Sequence, residues 1–372
     1  MKHVDEYRDT ESCRSLIDRI GRVVTKPRTI MEVCGGQTHG LLANGIDEAL
    51  RSSVRLLHGP GCPVCVTPET IIDAAIELSL RPNVLVTSFG DMLRVPGTSE
   101  SLQQCRARGG KVQLVYSPLD ALKLARQQPE FQVIFLAVGF ETTAPTTALA
   151  VRQAEQLGVP NFSLLVGHVR VRPAMELIMQ SPDCQVEGFL AAGHVCTVTG
   201  YESYREFARR FQVPVVITGF EPVDLLSGIL ECVQRIESGR ADVVNCYQRS
   251  VRPGGNITAV QLMSEVYEEC DQVWRGIGSI PLGGFRLRPQ YSEFDAMQRF
   301  LLTIGASRET CPTRCRAGEV LTGRLSPPEC EYFGRECTPL MPLGAPMVSS
   351  EGACAAYFRR ASQRPESEKA TP

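Results

Sequence analysis

Between residues 29 and 245 short apolar runs alternate with helix-like stretches, and this repeat constrains the fold more than any other feature. Candidate strands are Thr29–Val33, Val54–Leu57, Asn83–Thr87, Lys111–Val115, Gln132–Val138, Asn161–Val166, Val186–Leu190 and Pro214–Thr218. Most carry Val, Ile, Leu or Phe on both faces, as strands covered on both sides do. Thr67-Pro68, Ser117-Pro118 and Arg172-Pro173 put proline where a first helical turn begins, a position that does not need the missing N–H. Repeated strand–loop–helix units predict α/β architecture. The eight runs fit two doubly wound, mainly parallel sheets better than one. Four ranges follow: an N-terminal helical segment over 1–28, α/β domains over 29–130 and 131–275, and a C-terminal region over 276–372.

The C-terminal region is read as irregular. Proline and glycine become frequent after about residue 275, and regular strand signals disappear. A segment that buries little apolar surface needs another anchor, and a metal held by cysteines supplies one.

Charge and hydropathy narrow the partners. Thirty-nine Lys and Arg against 41 Asp and Glu leave a formal charge of −2, with no basic excess to neutralise nucleic-acid phosphates. No apolar run approaches the roughly 18 residues of a membrane span. Met1-Lys2-His3-Val4-Asp5-Glu6 lacks the basic-then-apolar order of a secretion signal. The expectation is a cytoplasmic chain with no nucleic-acid or membrane partner.

In such a compartment 15 cysteines are many, and five fall between Cys311 and Cys354. Gly59-Pro60-Gly61-Cys62-Pro63-Val64-Cys65 lies between a strand and a helix. Its Cys-x-x-Cys spacing places two sulfurs within disulfide reach, where a helix N-terminus favours thiolate. The competing reading is half of a zinc site, but the chain holds no second Cys-x-x-Cys. Cys34-Gly35-Gly36-Gln37-Thr38-His39 follows another strand, with backbone amides to lower the thiol pKa and His39 as an acid or base. A lone cysteine in such a turn reads as a buried hydrophobe. A second cysteine-bearing strand end favours chemistry instead.

Cys315, Cys330, Cys337 and Cys354 are separated by 14, 6 and 16 residues. Loop-borne thiolates suit zinc or a [4Fe-4S] cluster, and the wide intervals tilt the reading towards iron–sulfur. Gly-Phe-Glu recurs at Gly139-Phe140-Glu141 and Gly219-Phe220-Glu221, and Gly-His-Val at Gly167-His168-Val169 and Gly193-His194-Val195. All four triplets close apolar strands, where open α/β sheets place ligands. His168 and His194 are read as either satisfied core groups or site groups, and His58 as satisfying a backbone group. The loop Gly139, Phe140, Glu141, Thr142, Thr143 is read either as a helix cap or as a nucleotide or phosphate site, without the Gly-Lys-Ser/Thr of a P-loop.

In combination these motifs resemble the hydrogenase maturation factor HypD family. The resemblance rests on Cys34-Gly-Gly-Gln-Thr-His, Gly59-Pro-Gly-Cys-Pro-Val-Cys, Phe89-Gly-Asp-Met, Gly139-Phe-Glu-Thr-Thr-Ala-Pro, Pro328-Glu-Cys with Cys337-Thr-Pro, and Met347-Val-Ser-Ser-Glu-Gly-Ala-Cys. It implies two α/β domains and a C-terminal [4Fe-4S] region held by Cys315, Cys330, Cys337 and Cys354. It also implies assembly, with a HypC-like protein and a HypE-like cyanide donor, of the Fe(CN)2CO unit of [NiFe]-hydrogenase. Cys34 would hold that iron, Cys62 and Cys65 would be the redox dithiol, and His39 with the Gly139–Thr143 loop would line the same cleft. Such a chain is a redox-active assembly scaffold rather than a turnover enzyme. Where the family pattern has Cys-x-Cys, Ala317 follows Cys315-Arg316, so Cys311 is a substitute ligand to weigh. The alternatives are an iron–sulfur disulfide reductase and a zinc-stapled docking scaffold.

Overall fold

The computed structural model describes residues 5–302 and 314–363, so Cys311 lies outside the described residues. Among them the strands are β1 (Arg28–Glu32), β2 (Val54–His58), β3 (Val84–Ser88), β4 (Val112–Leu114), β5 (Gln132–Gly139) and β6 (Phe162–His168). β7 (Gly188–Ala192), β8 (Val215–Thr218), β9 (Val243–Asn245), β10 (Tyr267–Trp274) and β11 (Gly278–Leu287) follow. The eight expected strands are present, each within two residues of its expected ends. The chain is α/β, with parallel sheets of order β2-β1-β7-β8-β9 and β4-β3-β5-β6.

Two compact units hold these sheets. The first comprises Met1–Cys62, Met175–Asn256 and Arg316–Pro372, and the second Pro63–Ala174 and Ile257–Cys315. The ranges read from the sequence are contiguous, whereas these units are not. A parallel neighbour is reached by a crossover, so adjacency in the sheet need not follow adjacency in the chain. β1 pairs with β2 on one side and with the distant β7 on the other.

In the first unit the N-terminal helix α1 (Thr10–Val23) is capped by Asp9, whose carboxylate accepts the Ser12 N–H at 2.7 Å. Its Ile20 joins Ile30, Leu41, Leu190, Val216 and Ile229 in one buried cluster. Each such side chain contributes about 1.5–3 kcal/mol by leaving water. The C-terminal segment of this unit is built of turns and short helices before the helix Ala353–Gln363.

In the second unit Ser117 caps the helix Pro118–Gln127, its hydroxyl accepting the Leu119 N–H at 3.1 Å. This unit corrects one expectation: strand structure does not stop near residue 275. β10 and β11 form an antiparallel hairpin reaching Leu287. Trp274 is fully buried, and its indole N–H donates to the Gly283 carbonyl at 3.0 Å. Gly276 and Gly278, both at positive φ, turn the chain between the strands. Among the described residues no helix is long and apolar enough to cross a membrane.

Candidate functional site

The first sheet changes direction at β1. From β1 the chain crosses to β2 on one side, while β7 lies on the other. Such a switch point opens a crevice outside the carboxyl ends of the two central strands. β1 delivers Cys34 there and β7 delivers His194, with Cys34 Sγ 3.7 Å from His194 Nδ1. Cys34 precedes helix α2 (Gly35–Ala43) and is 2% exposed. The Phe220 ring, beyond β8, tilts against His194 with centroids 5.3 Å apart and lies over Gly36. The second Gly-Phe-Glu triplet therefore supplies a wall of the Cys34 site.

Close approach explains the glycines. A Cβ on Gly35 would collide with the Glu351 carbonyl, and one on Gly61 with the Cys34 backbone. The Gly35 N–H donates to the Gly61 carbonyl at 3.0 Å, and the Gly59 N–H to the Glu32 carbonyl at 2.8 Å. The Cys34 turn and the turn entering Cys62 are thus bonded backbone to backbone. Cys62 and Cys65 are joined in a disulfide.

Burial pushes the Cys34 thiol up to about 12. The Gln37 and Gly36 amides act in the opposite direction, and the Glu32 and Glu351 charges reinforce the rise. Burial also holds His194 down at about 4. The pair is therefore thiol and neutral imidazole at neutral pH, not an ion pair. A soft metal binding Cys34 must displace its proton, with His194 beside it as hydrogen-bond partner. His39 lies on an exposed position of α2, and the imidazole at Cys34 belongs to His194.

Glu32 and His58 were not singled out as site residues by sequence. His58 satisfies side chains rather than a backbone group: Nδ1 lies 2.8 Å from Glu32 Oε1 and Nε2 3.0 Å from the Tyr357 hydroxyl. A charged residue inside an apolar strand, as in Thr29-Ile30-Met31-Glu32-Val33, was the available signal. Glu32 has no exposed surface.

The Gly139 loop belongs to the second unit. It lies at that sheet's own switch, since β3 has β4 on one side and β5 on the other. Thr143 folds back on the loop, its hydroxyl donating to the Phe140 carbonyl at 3.1 Å. Glu141 is 7% exposed and accepts the Val171 N–H at 3.1 Å. Burial raises its carboxyl to about 7, against the opposing effect of Arg170. His168 is a satisfied core group here, with Nε2 2.8 Å from the Thr147 hydroxyl and Nδ1 3.2 Å from the Gly139 carbonyl.

Of the cysteines expected to hold a cluster, Cys330 and Cys337 flank one tight loop. The Phe333 N–H donates to the Cys330 carbonyl at 2.9 Å, and Phe333 bridges to Cys337. The Leu343 N–H donates to Cys337 Sγ at 3.5 Å, and the Gly344 amide also bonds this sulfur. Amides directed at sulfur suit a metal-bound thiolate, so this corner fits a cluster ligand. Among the described residues no three His, Cys, Asp or Glu side chains are gathered to hold a metal, so the full donor set is not assembled here.

The model of the family described as HypD, Hydrogenase formation hypA family, matches residues 11–361. The chain is 45% identical over 373 residues to the hydrogenase maturation factor HypD of Azotobacter vinelandii, covering 98% of each chain. It is 43% identical over 375 residues to the hydrogenase maturation factor HypD of Escherichia coli (strain K12), covering 98% of this chain and 100% of the relative. To the protein of the same name from Rhodobacter capsulatus it is 42% identical over 369 residues, covering 96% and 98%. Matched along nearly its whole length, the chain belongs to the HypD family.

Proposed function

We propose that this chain is a hydrogenase maturation factor that holds iron at Cys34 while the Fe(CN)2CO unit of [NiFe]-hydrogenase is assembled with HypC-like and HypE-like partners. The observation that carries the reading is the switch-point crevice, where Cys34 Sγ faces His194 at 3.7 Å and its turn is bonded to the turn entering Cys62. Iron arrives as cargo. A thiolate favours low-spin iron with π-acceptor ligands, and the buried thiol gives up its proton as the metal binds. Phe220 over Gly36 and the closely packed glycine turns keep the crevice narrow, which favours small ligands.

The Cys62/Cys65 dithiol is the proposed reductant for cyanide release. A thiocyanate and two thiols become a thiol, hydrogen cyanide and a disulfide: the S–C bond breaks, an S–S bond forms, and the two thiol protons pass to the products. A [4Fe-4S] cluster on Cys315, Cys330, Cys337 and Cys354, when bound, would supply single electrons at low potential.

The test is complementation of a strain lacking its own copy, read as hydrogenase activity. Cys34→Ser and Cys62→Ala are each expected to abolish maturation while leaving the protein folded. Full maturation with Cys62→Ala would remove the dithiol step. Disulfide reduction by the purified chain without partners would favour the reductase alternative.

A further inference from the structure

Glu32 has no exposed surface, yet it is ringed by donors. Its carboxylate accepts the Cys34 N–H at 2.7 Å, the Thr38 hydroxyl, and His58 Nδ1 at 2.8 Å. A carboxylate accepts and does not donate, so the facing His58 Nδ1 carries a proton. In the neutral ring that leaves Nε2 to accept the Tyr357 O–H at 3.0 Å. With His58 neutral, these hydrogen bonds run one way, from Tyr357 through His58 to the group that fixes the Cys34 amide.

Both ends of this chain carry proposed chemistry. Tyr357 lies three residues after Cys354, on a helix that packs against α2 in the same unit. Arg360 fastens that helix to Asp47 and Glu48 at 2.5 Å. The Glu351 carbonyl presses against Gly35, immediately after Cys34.

We propose that Glu32, His58 and Tyr357 are positioning residues that transmit the docking of the cysteine-bearing C-terminal segment to the Cys34 turn. The role rests on the reading of Cys34 as the iron-holding thiol. Docking completes the chain and holds Glu32 against the Cys34 amide, while undocking frees His58 and lets the turn relax. Polar chains of this kind are stronger complete than broken, because a buried donor left without its partner is costly.

The test is the alkylation rate of Cys34 by iodoacetamide in the reduced full-length protein, read by peptide mass spectrometry. Glu32→Gln is expected to alkylate about tenfold faster, the scale of losing a hydrogen bond to a charged group. Tyr357→Phe should shift the rate in the same direction in a protein that is still folded, as its cooperative melting transition will show. His58 separates wiring from packing. His58→Gln keeps a donor for Glu32 and an acceptor for Tyr357 and should stay close to wild type. His58→Leu keeps only volume and should alkylate as fast as Tyr357→Phe. Wild-type rates in Tyr357→Phe, or equal rates in the two His58 variants, would overturn the proposal. If Glu32→Gln does not fold, those three variants decide it. The assay needs neither iron nor hydrogenase. Intact maturation in Cys34→Ser would therefore refute the iron reading separately, whatever the alkylation rates.

Discussion

At the scale of single residues, burial dominates the chemistry of both switch points. Cys34 and His194 are each pushed towards their neutral forms, whereas Glu141 is raised to about 7. The folded pKa of Glu141 lies above the ordinary carboxylate value, so its contribution to stability is full in acid and is lost as pH rises from about 4.5 through about 7. Glu141→Gln keeps an acceptor for the Val171 N–H and removes the buried charge. It should therefore stabilise the protein at pH 8 by up to about 3 kcal/mol and have little effect at pH 4, measured by urea unfolding at both values. An equal effect at the two pH values would mean that the carboxyl ionises in the folded protein without penalty.

At the scale of elements, the hairpin of β10 and β11 shows where sequence periodicity fails. The run Tyr267-Glu268-Glu269-Cys270-Asp271-Gln272-Val273-Trp274 buries only its two ends, and β11 contains Pro281 and three glycines. Neither has the apolar content that marks β3 or β5. Cross-strand pairing and Trp274 hold the hairpin instead, and Tyr267 pins it with a 2.8 Å hydrogen bond to the Thr147 hydroxyl. Trp274→Ala is expected to cost about 3–5 kcal/mol in chemical unfolding, as large buried aromatics do. A loss under about 1 kcal/mol would show that pairing alone suffices.

At the scale of the whole molecule, each unit repeats one device: a parallel sheet whose strand order reverses and whose loops collect chemistry at the reversal. The first unit places a thiol and an imidazole there, the second a carboxyl and hydroxyls. The C-terminal cysteines add a third element, with Cys330 and Cys337 on one loop and amides on the Cys337 sulfur. Strictly anaerobic protein is expected to carry about four iron and four sulfide per chain, measured by metal and acid-labile sulfide analysis. Cys337→Ser should lower both. Zinc without sulfide after iron-replete anaerobic expression would leave these cysteines as a structural staple.

The sequence by itself determined the α/β class, the positions of eight strands and the thiol turns at Cys34 and Cys62, because these rest on local apolar runs, glycine and proline. It also carried the HypD resemblance. Only the tertiary structure decided which strand ends share a crevice, since β7 joins β1 across more than 150 residues of chain. That pairing brings His194 rather than His39 to Cys34, and the docked C-terminal helix brings Tyr357 to His58. Adjacency in a parallel sheet is set by crossovers and buried packing, and neither leaves a mark in the local order of residues.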